Sequence, residues 1–205
     1  PDPALAAHIV MLPGSRRSEI RHILPPMLAG FEMLRDSFPE ITATIPTLPR
    51  IAESIEASCA ATASAEAISI DQDEGALFRA LGSGHAVLAA SGTVTLQTAL
   101  FGAPGVACYI APALSAAVGR HLVSMDRVIL PNALLGREVY PFLFQERASA
   151  PALAGAMRQV LSDGDAGRRA ANDAEDLRKM LRGGAGSVNA GVLDAMAEWL
   201  GPASP

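Results

Sequence analysis

The chain has 205 residues, of which 50% are hydrophobic, 18% charged and 4% aromatic, with a formal net charge of −5. That length and apolar content are enough for one sizeable domain with a core and exclude a disordered chain; the acidic balance excludes a whole-surface grip on nucleic acid. No unbroken apolar run reaches transmembrane length, no secretory signal stands out and no Cys/His cluster has metal-ligand spacing, so neither a spanning helix nor a metal is expected, and no cofactor.

With so few aromatics, Ala, Leu, Ile and Val must fill the core, a composition that suits helices packed on a parallel sheet. The opening Pro-Asp-Pro, without Met, reads as a processed or truncated start. Strand-like runs are expected at 8–12, 42–45, 67–70, 86–90, 105–109 and 127–130. Helix-like runs lie between them at 24–37, 49–60, 74–81, 93–101 and 114–123. Pro25-Pro26 is expected to end a short turn near Leu24 and to open a new helix. Beyond Pro151 the pattern is all helical, at 152–161, 166–181 and 188–200, with a Gly-rich loop at 183–186. Strands alternating with helices predict βαβ units: an α/β, Rossmann-like, doubly wound parallel sheet over residues 1–150, with a C-terminal helical segment, 151–205, packing on it. Cys59 and Cys108 each sit among small apolar residues, as buried free thiols of a reducing compartment would.

Three stretches can carry chemistry. In "IVMLPGSRRSEI" a strand runs into Gly14, Ser15 and Arg16. Ligands of open α/β sheets bind at such strand ends, where free N–H groups and a guanidinium can hold a phosphate. The same residues also fit an ordinary strand-to-helix turn with solvated arginines. They match neither a Walker loop nor the dinucleotide GxGxxG. In "LAASGTVTLQTALFGAPGVACY" another strand ends at Ser91, Gly92 and Thr93; Ser91 is the expected N-cap, and Gln97 lies one turn further on, within reach of a ribose. Two anion cradles on neighbouring strand ends suit a diphosphate-linked ligand such as a nucleotide sugar. In "VILPNALLGREVYPFLFQ" the amide of Asn132 can bond a sugar or phosphate, or close an Asx-turn; Arg137 and Gln145 can be plain surface residues. His85 reads as a structural histidine, and His8, His22 and His121 suggest no triad. Arg120 and His121 form a small basic spot that can touch a phosphate or an acidic membrane surface but reads first as a solvated helix end.

In this order the three stretches resemble lipid A disaccharide synthase, from about Ile9 to about Gln145, with a weaker helical match to Leu200. The resemblance implies the C-terminal, UDP-binding half of a two-domain GT-B glycosyltransferase. That enzyme is an inverting hexosyltransferase that needs no metal. It moves 2,3-diacylglucosamine from UDP to 2,3-diacylglucosamine 1-phosphate and so forms the disaccharide precursor of lipid A in Gram-negative bacteria. It implies an N-terminal acceptor half, with the general base, outside this chain, so that the chain alone is expected to be inactive. It also implies a cytoplasmic location, peripheral on the inner membrane, and is compatible with a homodimer. Carried over by motif, Arg16 and Asn132 are the catalytic candidates. Gly14, Ser15, Arg16, Ser91, Gly92, Thr93, Gln97, Tyr109 and Asn132 are the UDP-sugar-binding candidates. Four positions depart from the family pattern: Gln97 stands for a glutamate, Ile110 for an arginine, Phe142 for a glutamate and His85 for an aspartate. The rival readings are another GT-B UDP-sugar glycosyltransferase or epimerase, and a degenerate relative that acts as a binding module.

Overall fold

The computed structural model of the chain describes residues 7–110 and 129–182. Six strands, β1 (His8–Leu12), β2 (Thr42–Pro46), β3 (Ile68–Asp71), β4 (Ala86–Ala90), β5 (Gly105–Tyr109) and β6 (Phe142–Phe144), form one sheet in the order β3-β2-β1-β4-β5-β6. Every pairing is parallel, with Val10 of β1 beside Thr44 of β2 on one side and Val87 of β4 on the other. The helices are α1 (Arg17–Arg35), α2 (Pro49–Ala60), α3 (Ala76–Ser83), α4 (Thr93–Phe101), α5 (Leu130–Leu135), α6 (Ala150–Ser162) and α7 (Ala166–Arg182).

Both faces of the sheet are covered, as a parallel sheet requires. Ile9 and Met11 of β1, with Leu88 of β4, pack with α1, α2 and α6 in the largest apolar cluster. Val10 and Leu12 face the other way, toward Leu77, Ala80 and Leu81 of α3 and Val94 of α4. Further along that second face, Ala99 of α4, Ile129, Tyr140 and Leu177 of α7 close over Ala107 of β5.

Three expectations change. Helix α1 is continuous through Pro25 and Pro26. The carbonyls that lose their donors there belong to Arg21 and His22, both exposed, where water can serve them. Meanwhile Ile20, Ile23, Leu24, Met27, Leu28, Phe31 and Leu34 stay buried at helical spacing and hold the helix to the sheet. The strand expected at 127–130 is not found in its described part: Leu130 opens α5, with Pro131 in its first turn, and the sixth strand is instead Phe142–Phe144. Ser91 does not cap α4; the N-cap is Gly92, and no side chain caps the helix. The expected helices at 114–123 and 188–200, the loop at 183–186 and His121 lie outside the described residues.

Candidate functional site

Strands β1 and β4 are neighbours, yet β1 is followed by a helix on one face of the sheet and β4 by a helix on the other. The turns leaving their C-terminal ends therefore diverge and open a crevice, the place where ligands bind in this class of sheet. A cleft of about 920 Å³ lies there. It brings together Gly14, Ser15 and Arg16 from the first turn and Ser91, Gly92, Thr93 and Gln97 from the second.

The first turn is built around Gly14, whose φ of +109° belongs to the region that glycine alone adopts readily. A side chain there would also meet Glu19, whose Oε2 lies 2.8 Å from where a Cβ would stand. Glu19 in turn holds Arg16, with Nη1 donating to Oε1 at 2.8 Å; the arginine side chain is 77% exposed and the glutamate 18%. Arg16 is the N-cap of α1, with extended backbone and no side-chain capping bond, so no side chain occupies the first-turn N–H groups.

The second turn leaves the sheet by a backbone bond, Ser91 N–H to the Cys108 carbonyl at 2.7 Å. Gly92 follows in nearly extended backbone, with open space beyond its α-carbon. The hydroxyl and N–H of Thr95 both turn back to the Gly92 carbonyl, at 2.7 and 3.1 Å, and brace the start of α4. The N–H groups ahead of them face the cleft without a side-chain cap, and Gln97 is exposed on the same helix. Two helix N-termini, each carrying the positive end of its macrodipole, thus converge on one cavity.

The remaining walls were not singled out in the sequence. One is the turn after β2, where Thr47, Leu48 and Pro49 line the cleft. Thr47 Oγ1 is buried there and is the only buried side-chain polar atom without a hydrogen-bond partner among the described residues. Arg50, next along, does not itself line the cleft, but its Nη2 donates to the carbonyl of Ser15, which does, at 3.1 Å. The other wall is the segment 72–78. Its approach is fixed by Asp71, which accepts from the Asp73 N–H at 3.0 Å and from Arg79 Nη2 at 2.9 Å. The Asp73 amide, then the Arg79 guanidinium, hold the Asp71 carboxyl below the usual carboxylate range. Leu48 and Phe78, 45% and 58% exposed, give this end of the cleft an apolar rim. Local signals for these walls exist: Glu19 stands three residues after Arg16, Pro49 marks a helix start after a strand, and Asp73-Glu74-Gly75 reads as a turn.

Tyr109 and Asn132 do not line the cleft. Tyr109 ends β5 and stacks on Phe144, with ring centroids 6.4 Å apart and planes 12° from parallel. Asn132 is buried; its Oδ1 accepts from the N–H groups of Val139 and Tyr140, both at 3.0 Å, and its Nδ2 donates to the Tyr140 carbonyl at 2.9 Å. His85 lies at the opposite, N-terminal end of the strands, just before β4, where its Nδ1 accepts from the His8 N–H at 3.0 Å. Arg137 pairs with Asp173 and Asp176 on α7, and Gln145 is buried beside β6. Ile110 follows β5, and Phe142 pairs with Ala107 across β5 and β6. Cys108 is buried, which pushes its thiol up to about 12, so it is not a nucleophile at neutral pH.

A family profile described as lipid-A-disaccharide synthetase matches residues 3–191. The chain is similar to the lipid-A-disaccharide synthase of Nitrobacter winogradskyi, at 35% identity over 191 residues, 93% of this chain and 48% of that protein. It is likewise similar to the synthase of Anaeromyxobacter dehalogenans, at 37% identity over 174 residues, 84% of this chain and 43% of the other. The chain thus spans about half the length of the curated relatives it matches. Among solved structures, the spinosyn rhamnosyltransferase SpnG complexed with thymidine diphosphate shares the fold with a TM-score of 0.59 at 16% identity, over 85% of this chain and 42% of that one. The UDP-GlcNAc 2-epimerase of Neisseria meningitidis bound to UDP-GlcNAc does so with a TM-score of 0.52 at 12% identity, over 86% and 44%.

Proposed function

This chain belongs to the lipid-A-disaccharide synthetase family, and we propose that it is the donor-binding part of an inverting glycosyltransferase that forms the lipid A disaccharide. The observation that carries this reading is the pair of uncapped helix N-termini, α1 and α4, meeting with Arg16 in one cleft at the sheet's switch point. Such a cleft suits a diphosphate, with Gln97 placed for the ribose and the apolar wall of Leu77 and Phe78 for a base.

In the reaction so proposed, the bond between the sugar's anomeric carbon and the UDP oxygen breaks while an acceptor hydroxyl oxygen bonds to that carbon from the opposite side. Negative charge grows on the departing diphosphate. Arg16 and the two sets of N–H groups oppose it from fixed positions and so stabilise the transition state more than the ground state. The hydroxyl's proton goes to a base outside the residues assigned here. The donor would be UDP-2,3-diacylglucosamine and the acceptor 2,3-diacylglucosamine 1-phosphate. Since both carry acyl chains, the working enzyme is placed by this proposal on the cytoplasmic surface of the inner membrane; a homodimer is part of the same proposal and rests on the resemblance alone. Tyr109 and Asn132 stay outside the proposed UDP contacts, because one is stacked on Phe144 and the other is bonded to backbone.

The test is a calorimetric titration of UDP into this chain beside Arg16→Ala and Gln97→Glu. The expected result is saturable binding, weakened severalfold in the first variant and tightened in the second, because a carboxylate accepts ribose hydroxyl bonds more strongly than an amide. Silence in all three would favour a binding module that has lost the nucleotide.

A further inference from the structure

The turn after β2 has no place in the site as read from the sequence, yet it carries two features that its own fold does not explain. The first is Thr47 Oγ1, buried in the cleft wall without a partner, although its own N–H is satisfied by the Asp71 carbonyl at 2.8 Å. Folded chains seldom leave a buried hydroxyl unbonded unless a ligand or water completes it. The second is Arg50. It stands in the first turn of α2, where the helix dipole disfavours a cation, and that turn holds no acidic residue. Among the described residues no carboxylate pairs with Arg50, and its guanidinium is held at the Ser15 carbonyl, on the loop of the phosphate cradle. Arg16, by contrast, already has the Glu19 carboxylate at 2.8 Å, so part of its charge is answered within the protein.

We propose that this turn is a second polar arm of the ligand site: Arg50, exposed beside the cleft, extends from its place on Ser15 to supply a cation to the diphosphate, and Thr47 rotates its hydroxyl, closed off in the free chain, onto the bound ligand. The inference rests on reading the cleft as a nucleotide site. One Arg50 donor stays on Ser15 and ties the arm to the cradle; the remaining guanidinium N–H groups are free for phosphate oxygens. The arm adds to the field of the two helix N-termini and makes the attraction fall with added salt.

Three probes separate the contributions: UDP, inorganic pyrophosphate and uridine, each titrated into the wild-type chain and into Arg50→Ala and Thr47→Val. Arg50→Ala is expected to weaken UDP and pyrophosphate by about tenfold and to leave uridine unchanged, the signature of a lost charge-assisted contact. Thr47→Val keeps the volume and removes the unbonded hydroxyl, so it is expected to raise the melting temperature of the free chain while shrinking the rise that UDP produces. A merely structural threonine would not move these two quantities in opposite directions. If UDP binds all three chains alike, the arm is overturned and the nucleotide reading stands. If UDP is silent but pyrophosphate binds and is weakened by Arg50→Ala, the arm stands and the nucleotide reading falls. If neither UDP nor pyrophosphate binds, both fall.

Discussion

The Asn132 amide makes three bonds to the backbone of residues 139 and 140, and Tyr140 in turn donates its hydroxyl to the Ala103 carbonyl at 2.8 Å and to Thr98 Oγ1 at 3.1 Å. One side chain thus fixes the approach to β6 and, through Tyr140, the start of β5. Asn132→Ala would leave buried donors and an acceptor unpaired, so a loss of about 3 kcal/mol is expected in urea unfolding. The UDP affinity of the folded fraction should stay unchanged. A weakened affinity would show that the amide also reaches the ligand, as the resemblance implies. At this scale the sequence made Gly14, Ser15, Arg16, Ser91, Gly92, Thr93 and Gln97 legible, because strand-end turn chemistry is local. It left Asn132 open between ligand and Asx-turn, because the partners that decide it lie seven and eight residues on, and only the folded chain brings them back. Arg50 went unread for the same reason, because its partner, the Ser15 carbonyl, lies 35 residues back along the chain; Glu19, three residues after Arg16, was within reach of a local reading.

Strand β5 is pressed so closely against β4 that a Cβ on Gly105 would stand 2.3 Å from the Val87 carbonyl oxygen. Gly105→Ala should therefore prise the two strands apart and cost about 3 kcal/mol or more, read as a lowered urea midpoint, because backbone cannot yield as a side chain can. Element types followed from periodicity with little ambiguity, and strands at 8–12, 86–90 and 105–109 end where composition changes. The exceptions have physical causes. Pro25 and Pro26 outweigh apolar spacing in a local reading, yet here the packed stripe from Ile20 to Leu34 overrides them. The three-residue β6 is too short to show alternation and exists because β5 offers it an edge.

For the molecule as a whole, the titrating groups point to loss of stability in acid. Burial, and then the charge of His85, hold His8 below its ordinary value of 6.5. Hydrogen bonds and neighbouring arginines hold Glu66, Asp71 and Asp163 below theirs. In every case the unfolded chain binds the proton more readily, so the stabilising contribution is present above the ordinary value and is lost as pH falls through the depressed one. The urea midpoint is expected to be flat from mildly alkaline pH to neutrality and then to fall in two stages, one below 6.5 from His8 and one below 4.5 from the carboxylates. His8→Gln should remove the upper stage and keep the lower. Glu66 is exposed and Asp71 and Asp163 are partly so, and salt should therefore blunt the second stage more than the first.

The sequence by itself determined a parallel α/β sheet, the two turns at the strand ends and the family to which the chain belongs. These depend on periodicity and turn chemistry within a few residues, and on motif order along the chain. Only the tertiary structure decided that both turns face one cleft, because that depends on β1 and β4 being neighbours with their helices on opposite faces. It alone set Arg50 on the Ser15 carbonyl, left Thr47 without a partner and turned Asn132 to the backbone. Hydrogen bonding and burial are properties of distances in space, and separation along the chain does not fix those distances.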